Sequence, residues 1–161
     1  MTFPTRILAV VIVVGVVSVA AYVILVSSTP PGSVTTNVPS TFSVNGKTFR
    51  FNYIAITQSE REQGLMNRKI TNQTTMLFAF PSASEWSFWM LDTNTSLDMI
   101  WVNADGSTGS VVYIQSAAPP CMNDGGCPVY TPTSSANFVI EAKAGFAAVN
   151  GISVGTNISF T

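Results

Sequence analysis

Histidine is absent from the whole chain. Its absence removes the usual general base at neutral pH, the commonest zinc ligand and the ordinary physiological-pH switch. Serine and cysteine mechanisms that depend on histidine are excluded with it. Charge is scarce too: 9% of residues are Asp, Glu, Lys or Arg and the net charge is −1, where soluble domains carry roughly 25%. Seven basic residues make no patch that could neutralise phosphates, so nucleic acid is excluded as a partner. No grouping of side chains in the sequence amounts to a metal centre or a cofactor motif, and none is expected.

A long hydrophobic run is present instead. Ile7 to Val26 carries no charge, and as a helix it would span about 30 Å, the thickness of a bilayer core. Arg6 and the terminal amine are the only positive charges before it, and none follows until Lys47. The positive-inside rule then predicts a single-pass cell-membrane protein with a cytoplasmic N-terminus and an extracytoplasmic domain. A cleaved signal peptide, cut after Ser18-Val19-Ala20, is the alternative. Cleavage there would leave Ala21-Tyr22-Val23-Ile24-Leu25-Val26 at a new N-terminus, and the apolar run does not stop at Ala20, which favours a retained anchor. Either reading exports the domain.

Three parts follow from composition: the anchor over 1–26, a Ser/Thr/Pro-rich tether over 27–40, and a domain over 41–161. The tether has three prolines and too little apolar surface to fold. From Thr41 onward apolar residues recur with period two. Phe42 and Val44 lead into Asn45-Gly46, a type I′ hairpin signal, and Phe49, Phe51 and Tyr53 continue the alternation. Thr57-Gln58-Ser59-Glu60 is a capping box that opens a short helix through Glu62, closed near Gly64. Further strands are expected at 76–80 (ended by Pro81), 87–90, 97–102, 110–114, 138–141 and 155–160. A turn at 104–106, a Pro/Gly/Cys loop over 117–135 and a short helix over 143–149 lie between them. Seven or eight short strands with two small helices predict an α+β, mainly β domain built as a compact barrel or sandwich.

Cys121 and Cys127 bracket a seven-residue loop containing a Gly pair. In an exported domain they are expected to form a disulfide worth about 2 kcal/mol. Asn72, Asn94 and Asn157 head acceptor patterns for N-glycosylation.

Several stretches in order resemble the uncharacterised bacterial and archaeal family numbered 192 among the domains of unknown function. They are Gly64-Leu65-Met66 with Arg68, Met76-Leu77-Phe78 with Phe80, and Phe88-Trp89-Met90 with Thr93. Leu97-Asp98 with Ile100, Asp105-Gly106, Pro119-Pro120-Cys121 and Cys127-Pro128 with Tyr130 continue the series. Ala144-Gly145-Phe146 and Gly151-Ile152 with Val154-Gly155 complete it. The resemblance covers residues 48 to 160 and implies an often exported or membrane-anchored protein, without an established activity. Ser96, Leu91-Asp92 and Gly155-Thr156 depart from the family pattern, so a ligand read by a basic group at position 91 would not be read the same way here.

Asp98 stands out, because an acid inside Leu97-Asp98-Met99-Ile100-Trp101-Val102 must be satisfied or pay heavily for burial. Period two puts it with Ile100 and Val102, opposite Leu97, Met99 and Trp101. One reading is a structural acid held by backbone amides, Thr93 or Arg68. The other is a pocket acid with Arg68, Trp89, Met90, Thr93 and Met66 as ligand-binding neighbours. Met66, Met76, Met90 and Met99 could bind Cu(I) through thioethers, but methionine is more often a core filler. Glu85, Asp92 and Asp98 offer carboxylates at no spacing that singles out a hydrolytic pair. The expected function is therefore a non-catalytic, membrane-anchored module that binds a small polar or glycan ligand or an envelope partner. A structural subunit of a surface assembly and a hydrolase using Asp98 are the alternatives.

Overall fold

A computed structural model describes residues 38–122 and 126–161 of the chain. The anchor expected over 7–26 and the tether as far as residue 37 lie outside the described residues. Among the described residues no helix is long and apolar enough to cross a membrane.

The domain starts at Val38, which packs against the core. Strands β1 (Thr41–Val44) and β2 (Lys47–Arg50) form the expected hairpin. Asn45 and Gly46 have φ of 49° and 76°, the pair of positive values that a type I′ turn requires and that Asn-Gly tolerates best. β3 (Tyr53–Ala55) precedes helix α1 (Gln58–Gln63). Thr57 and Glu60 make the reciprocal capping box, and those bonds, led by the Thr57 amide, hold the Glu60 carboxyl below the usual range. β4 (Thr75–Ser84), β5 (Phe88–Trp89), β6 (Leu97–Asp105), β7 (Thr108–Ala118), β8 (Val129–Tyr130) and β9 (Ala136–Lys143) follow, then α2 (Phe146–Val149) and β10 (Asn157–Phe160).

Eight strands form one sheet in the order β2-β1-β10-β7-β6-β9-β4-β3, and β5 pairs with β8 separately. Among the named strand pairs of the described residues, β3 with β4 is parallel and the others are antiparallel. The outermost strands, β2 and β3, are joined by Phe51 and Asn52 alone, so a sheet eight strands wide must curl until its two edges nearly meet. The result is a half-barrel, mainly β with two short helices, rather than a sandwich or a closed barrel.

Curling gives the sheet two buried faces. Phe42, Leu77, Ile100, Val102, Ile140, Ile158 and Phe160, from four strands and the closing one, fill the concave side together with Phe146 and Ala147 of α2. Met76, Phe78, Leu97, Met99, Trp101 and Val139 fill the outer side, covered by Leu65, Phe88 and Met90. A half-buried sheet alternates apolar and polar residues; one covered on both faces reads as a continuous apolar run. β6 is such a run, with Leu97 to Val102 all buried.

Several boundaries differ from the sequence expectation: β7 runs over Thr108–Ala118 rather than 110–114, α2 starts at Phe146 rather than 143, and β10 starts at Asn157 rather than 155. β4 continues past Pro81 to Ser84, because its pairing with β9 jumps from Ala79 to Ser84 and proline sits where the ladder asks for no N–H. The turn after β6 is Gly106-Ser107 rather than 104–106, since Asp105 pairs with Thr108. The loop over 117–135 contains β8, which pairs with β5. β9 runs to Lys143 rather than stopping at Glu141.

Candidate functional site

Asp98 lies on the concave face, 1% exposed. One carboxylate oxygen accepts the Ala117 N–H and the other the Ala147 N–H, each at 2.9 Å. Ala117 has a positive φ of 50° at the irregular end of β7, where the β6 pairing slips between Leu97 and Met99. Asp98 thus ties a bulged strand end to the first turn of α2, and it lines none of the cavities described below.

The remaining candidates lie on or beyond the outer face. Met90 is fully buried in the core. Arg68 donates from Nε to the Gly64 carbonyl at 3.0 Å and stacks over Tyr53, 4.2 Å from the ring centroid. It belongs to a separate groove of about 450 Å³ alongside Tyr53 and Met76. Met66, Trp89 and Thr93 are brought together, around a cavity of about 20 Å³. That volume admits one water-sized group.

The cavity is built from three directions. The end of α1 supplies Arg61, Glu62 and Gln63, and the turn after it supplies Gly64, Leu65 and Met66. Gly64 makes this turn possible: it closes α1 at φ 47°, ψ −134°, a region reached only by glycine at low cost. The Phe78 ring of β4 and Phe88 of β5 meet edge to face at 4.8 Å and form an aromatic wall with Trp89. Leu91 and Thr93 complete the rim, fastened to Cys121 by two β-bridges. Cys121 and Cys127 form the expected disulfide, S–S 2.03 Å.

Glu141 closes the bottom, and sequence reasoning passed over it. It is 4% exposed and sits on the outer face between its strand partners Met76 and Met99. Among the described residues no hydrogen bond reaches its carboxyl, while both neighbouring charges are engaged elsewhere. Arg61 donates from Nη1 to the carbonyls of Ile56 and Ala79 and lies over Phe80; Glu62 accepts from the Gln58 side chain. Burial therefore pushes the Glu141 carboxyl up to about 8, because a lone carboxylate in an apolar site is costly. Its sequence signal was an acid followed by Ala142-Lys143 after an apolar run; ending the strand at the charge hid its interior position.

The four methionines considered for copper divide between separate places. Met66 lines the small cavity, Met76 the separate groove, and Met90 and Met99 are packed in the core. Among the described residues no cluster of His, Cys, Asp and Glu could hold a metal ion. Asn72, Asn94 and Asn157 are all exposed.

A curled β-sheet with a water-sized, acid-floored cavity on its outer face defines the architecture. The chain belongs to the family DUF192, described as "Uncharacterized ACR", which it matches over residues 40–160. No curated protein matches it. It is similar to a crystal structure from Sinorhizobium meliloti 1021, provisionally described as a transcription regulator, at 27% identity and a TM-score of 0.62. That match covers 74% of this chain and 90% of the other. A protein of unknown function from Novosphingobium aromaticivorans DSM 12444 is similar at 25% identity and a TM-score of 0.63, covering 82% and 94%.

Proposed function

We propose that this chain is a non-catalytic, membrane-anchored domain that binds a small polar or glycan ligand, or a partner of the cell envelope, at the Glu141 cavity. The observation that carries the reading is Glu141 itself. A carboxyl that no protein group among the described residues meets, on a residue otherwise buried and opening on a space the size of one water, can take a hydrogen bond from a group that enters. Whole small-molecule pockets measure roughly 300–1,000 Å³, so about 20 Å³ receives one functional group and leaves the rest of a ligand outside. The adjoining surface suits that remainder. Trp89 is 49% exposed, and its cross-strand partner Val129 is exposed beside it. A sugar ring or an apolar stem could lie across this lip while a polar tip enters.

Export places the cavity outside the cell, with residues 7–26 as the anchor and the disulfide suited to an oxidising compartment. Glycans on Asn72, Asn94 and Asn157 belong to the same proposal. The assembly reading draws less support, since the two edge strands are four and three residues long and offer short templates for pairing. A hydrolytic role for Asp98 has little to rest on, because both its oxygens are occupied by backbone amides.

Two measurements test the proposal together. Fractionation of cells making the full chain should leave it in membranes, and mass spectrometry should find residues 7–26 retained. Tryptophan fluorescence of the purified protein should respond to members of a panel of sugars, amino sugars, amines and amino acids, and Trp89→Phe should abolish the response. A soluble chain, or no response to any member of the panel, would overturn the corresponding half.

A further inference from the structure

The cavity beside Glu141 admits one functional group of the proposed ligand. Resting on that reading, we infer that the group held against Glu141 is a primary ammonium. Three observations converge on it. The first is charge: the cavity lining carries Arg61, Glu62 and Glu141, so with Glu141 ionised its balance is −1, and one monovalent cation neutralises it. The second is the wall. Phe78, Phe88 and Trp89 line the cavity, and aromatic rings attract ammonium groups. The third is size, since an –NH3⁺ group occupies about the volume of a water molecule and the cavity holds one.

The competing occupant, a neutral hydroxyl, would bond the protonated carboxyl and leave the aromatic wall without a role. The two differ in proton balance. An ammonium requires the carboxylate, so its entry at neutral pH expels the proton that burial keeps on Glu141. Hydroxyl binding expels none. The other charged residues on the packed elements are Glu60 of α1, held by the Ile56 and Thr57 amides, and Arg68, held by the Gly64 carbonyl beside exposed Lys69. Asp92 lies between the lining residues Leu91 and Thr93, Asp105 is exposed at the end of β6, and Lys143 is two residues along β9. Asp98 points to the opposite face and is held by Ala117 and Ala147.

The test is calorimetric titration of the full chain in buffers of different ionisation enthalpy, with each amine paired to its neutral counterpart. Methylammonium against methanol probes a free small amine, an acetylated lysine methylamide against its norleucine analogue a lysyl side chain, and glucosamine against glucose an amino sugar. The expected result is binding of amines with close to one proton released at pH 7, and an association constant rising about tenfold from pH 6 to 7. Glu141→Gln should weaken it at least about thirtyfold while its melting transition stays cooperative. The arm that binds tightest identifies the source of the amine. Binding of methanol or glucose in preference, without proton release, would overturn the ammonium and leave a binding module. Equal amine binding by Glu141→Gln would overturn it as well. Silence from every probe would overturn both this inference and the small-ligand reading beneath it.

Discussion

Asp98 and Glu141 are acids on adjacent, paired strands that face opposite sides of the sheet. Met99 is the β6 partner of Glu141, and Asp98 is the partner of Ala142, so one step along the ladder separates the two and turns one inward, the other outward. Both are buried. They differ in what meets them: two backbone amides reach Asp98, and a water-sized cavity reaches Glu141. The first arrangement holds the fold together, whereas the second costs stability and leaves a position for something else.

Replacing Asp98 should therefore be a folding defect. Asp98→Asn swaps one acceptor oxygen for an NH2 group facing a backbone N–H, and should lower stability by about 1–3 kcal/mol; Asp98→Ala strands both amides and should cost roughly twice that. Urea unfolding followed by far-ultraviolet circular dichroism would measure it. A loss under about half a kcal/mol would mean that the clamp between β7 and α2 contributes little.

Glu141 should give stability an unusual dependence on pH. Its folded carboxyl is raised to about 8 from 4.5, so between those values the native state binds a proton that the unfolded state has lost. Stability then falls as pH rises through this window and is flat with respect to this group below and above it. The full span is at most about 5 kcal/mol. Glu141→Gln should remove the slope and raise stability at pH 8. A parallel pH profile for the variant and the wild type would show that the acid is solvated.

Gly109 faces a different constraint. A Cβ there would stand 2.7 Å from Cγ1 of Val102 and 2.9 Å from Cβ of Ala104, at the crossing of β6, β7 and β10. Gly109→Ala should destabilise the domain by about 1–3 kcal/mol through overpacking, lowering the melting temperature. Unchanged melting would require the hairpin to shift without cost.

Opening the disulfide between Cys121 and Cys127 should cost about 2 kcal/mol on the loop-closure estimate. The change should be felt first where Cys121 bridges Leu91 and Thr93, beside the cavity. Hydrogen exchange of the Cys121→Ser, Cys127→Ser protein should speed up at Thr93 and over β5 and β8 while β6 and β9 stay protected. Uniform loss of protection would instead make the loop part of the central folding unit.

Local signals in the chain were reliable wherever a few neighbouring residues decide the outcome. Asn45-Gly46 needs only its own backbone to turn, and Thr57 with Glu60 caps a helix through bonds three residues apart. Asp98 was legible as an acid that burial forces to find partners. Neither partner was legible, since Ala117 and Ala147 are 19 and 49 residues away and donate through amides that every residue carries.

What the amino-acid sequence determined by itself is the alternation of apolar residues, the turns, the cap, the cysteine pair and the membership of a family. Tertiary structure alone decided which acid is satisfied and which is left open. A strand buried on both faces has no polar side to mark inside from outside, so period two could separate Asp98 from Met99 but not say what covers either face. The curl of the sheet supplied α2 over Asp98, and the α1 turn with β5 left a water-sized gap over Glu141.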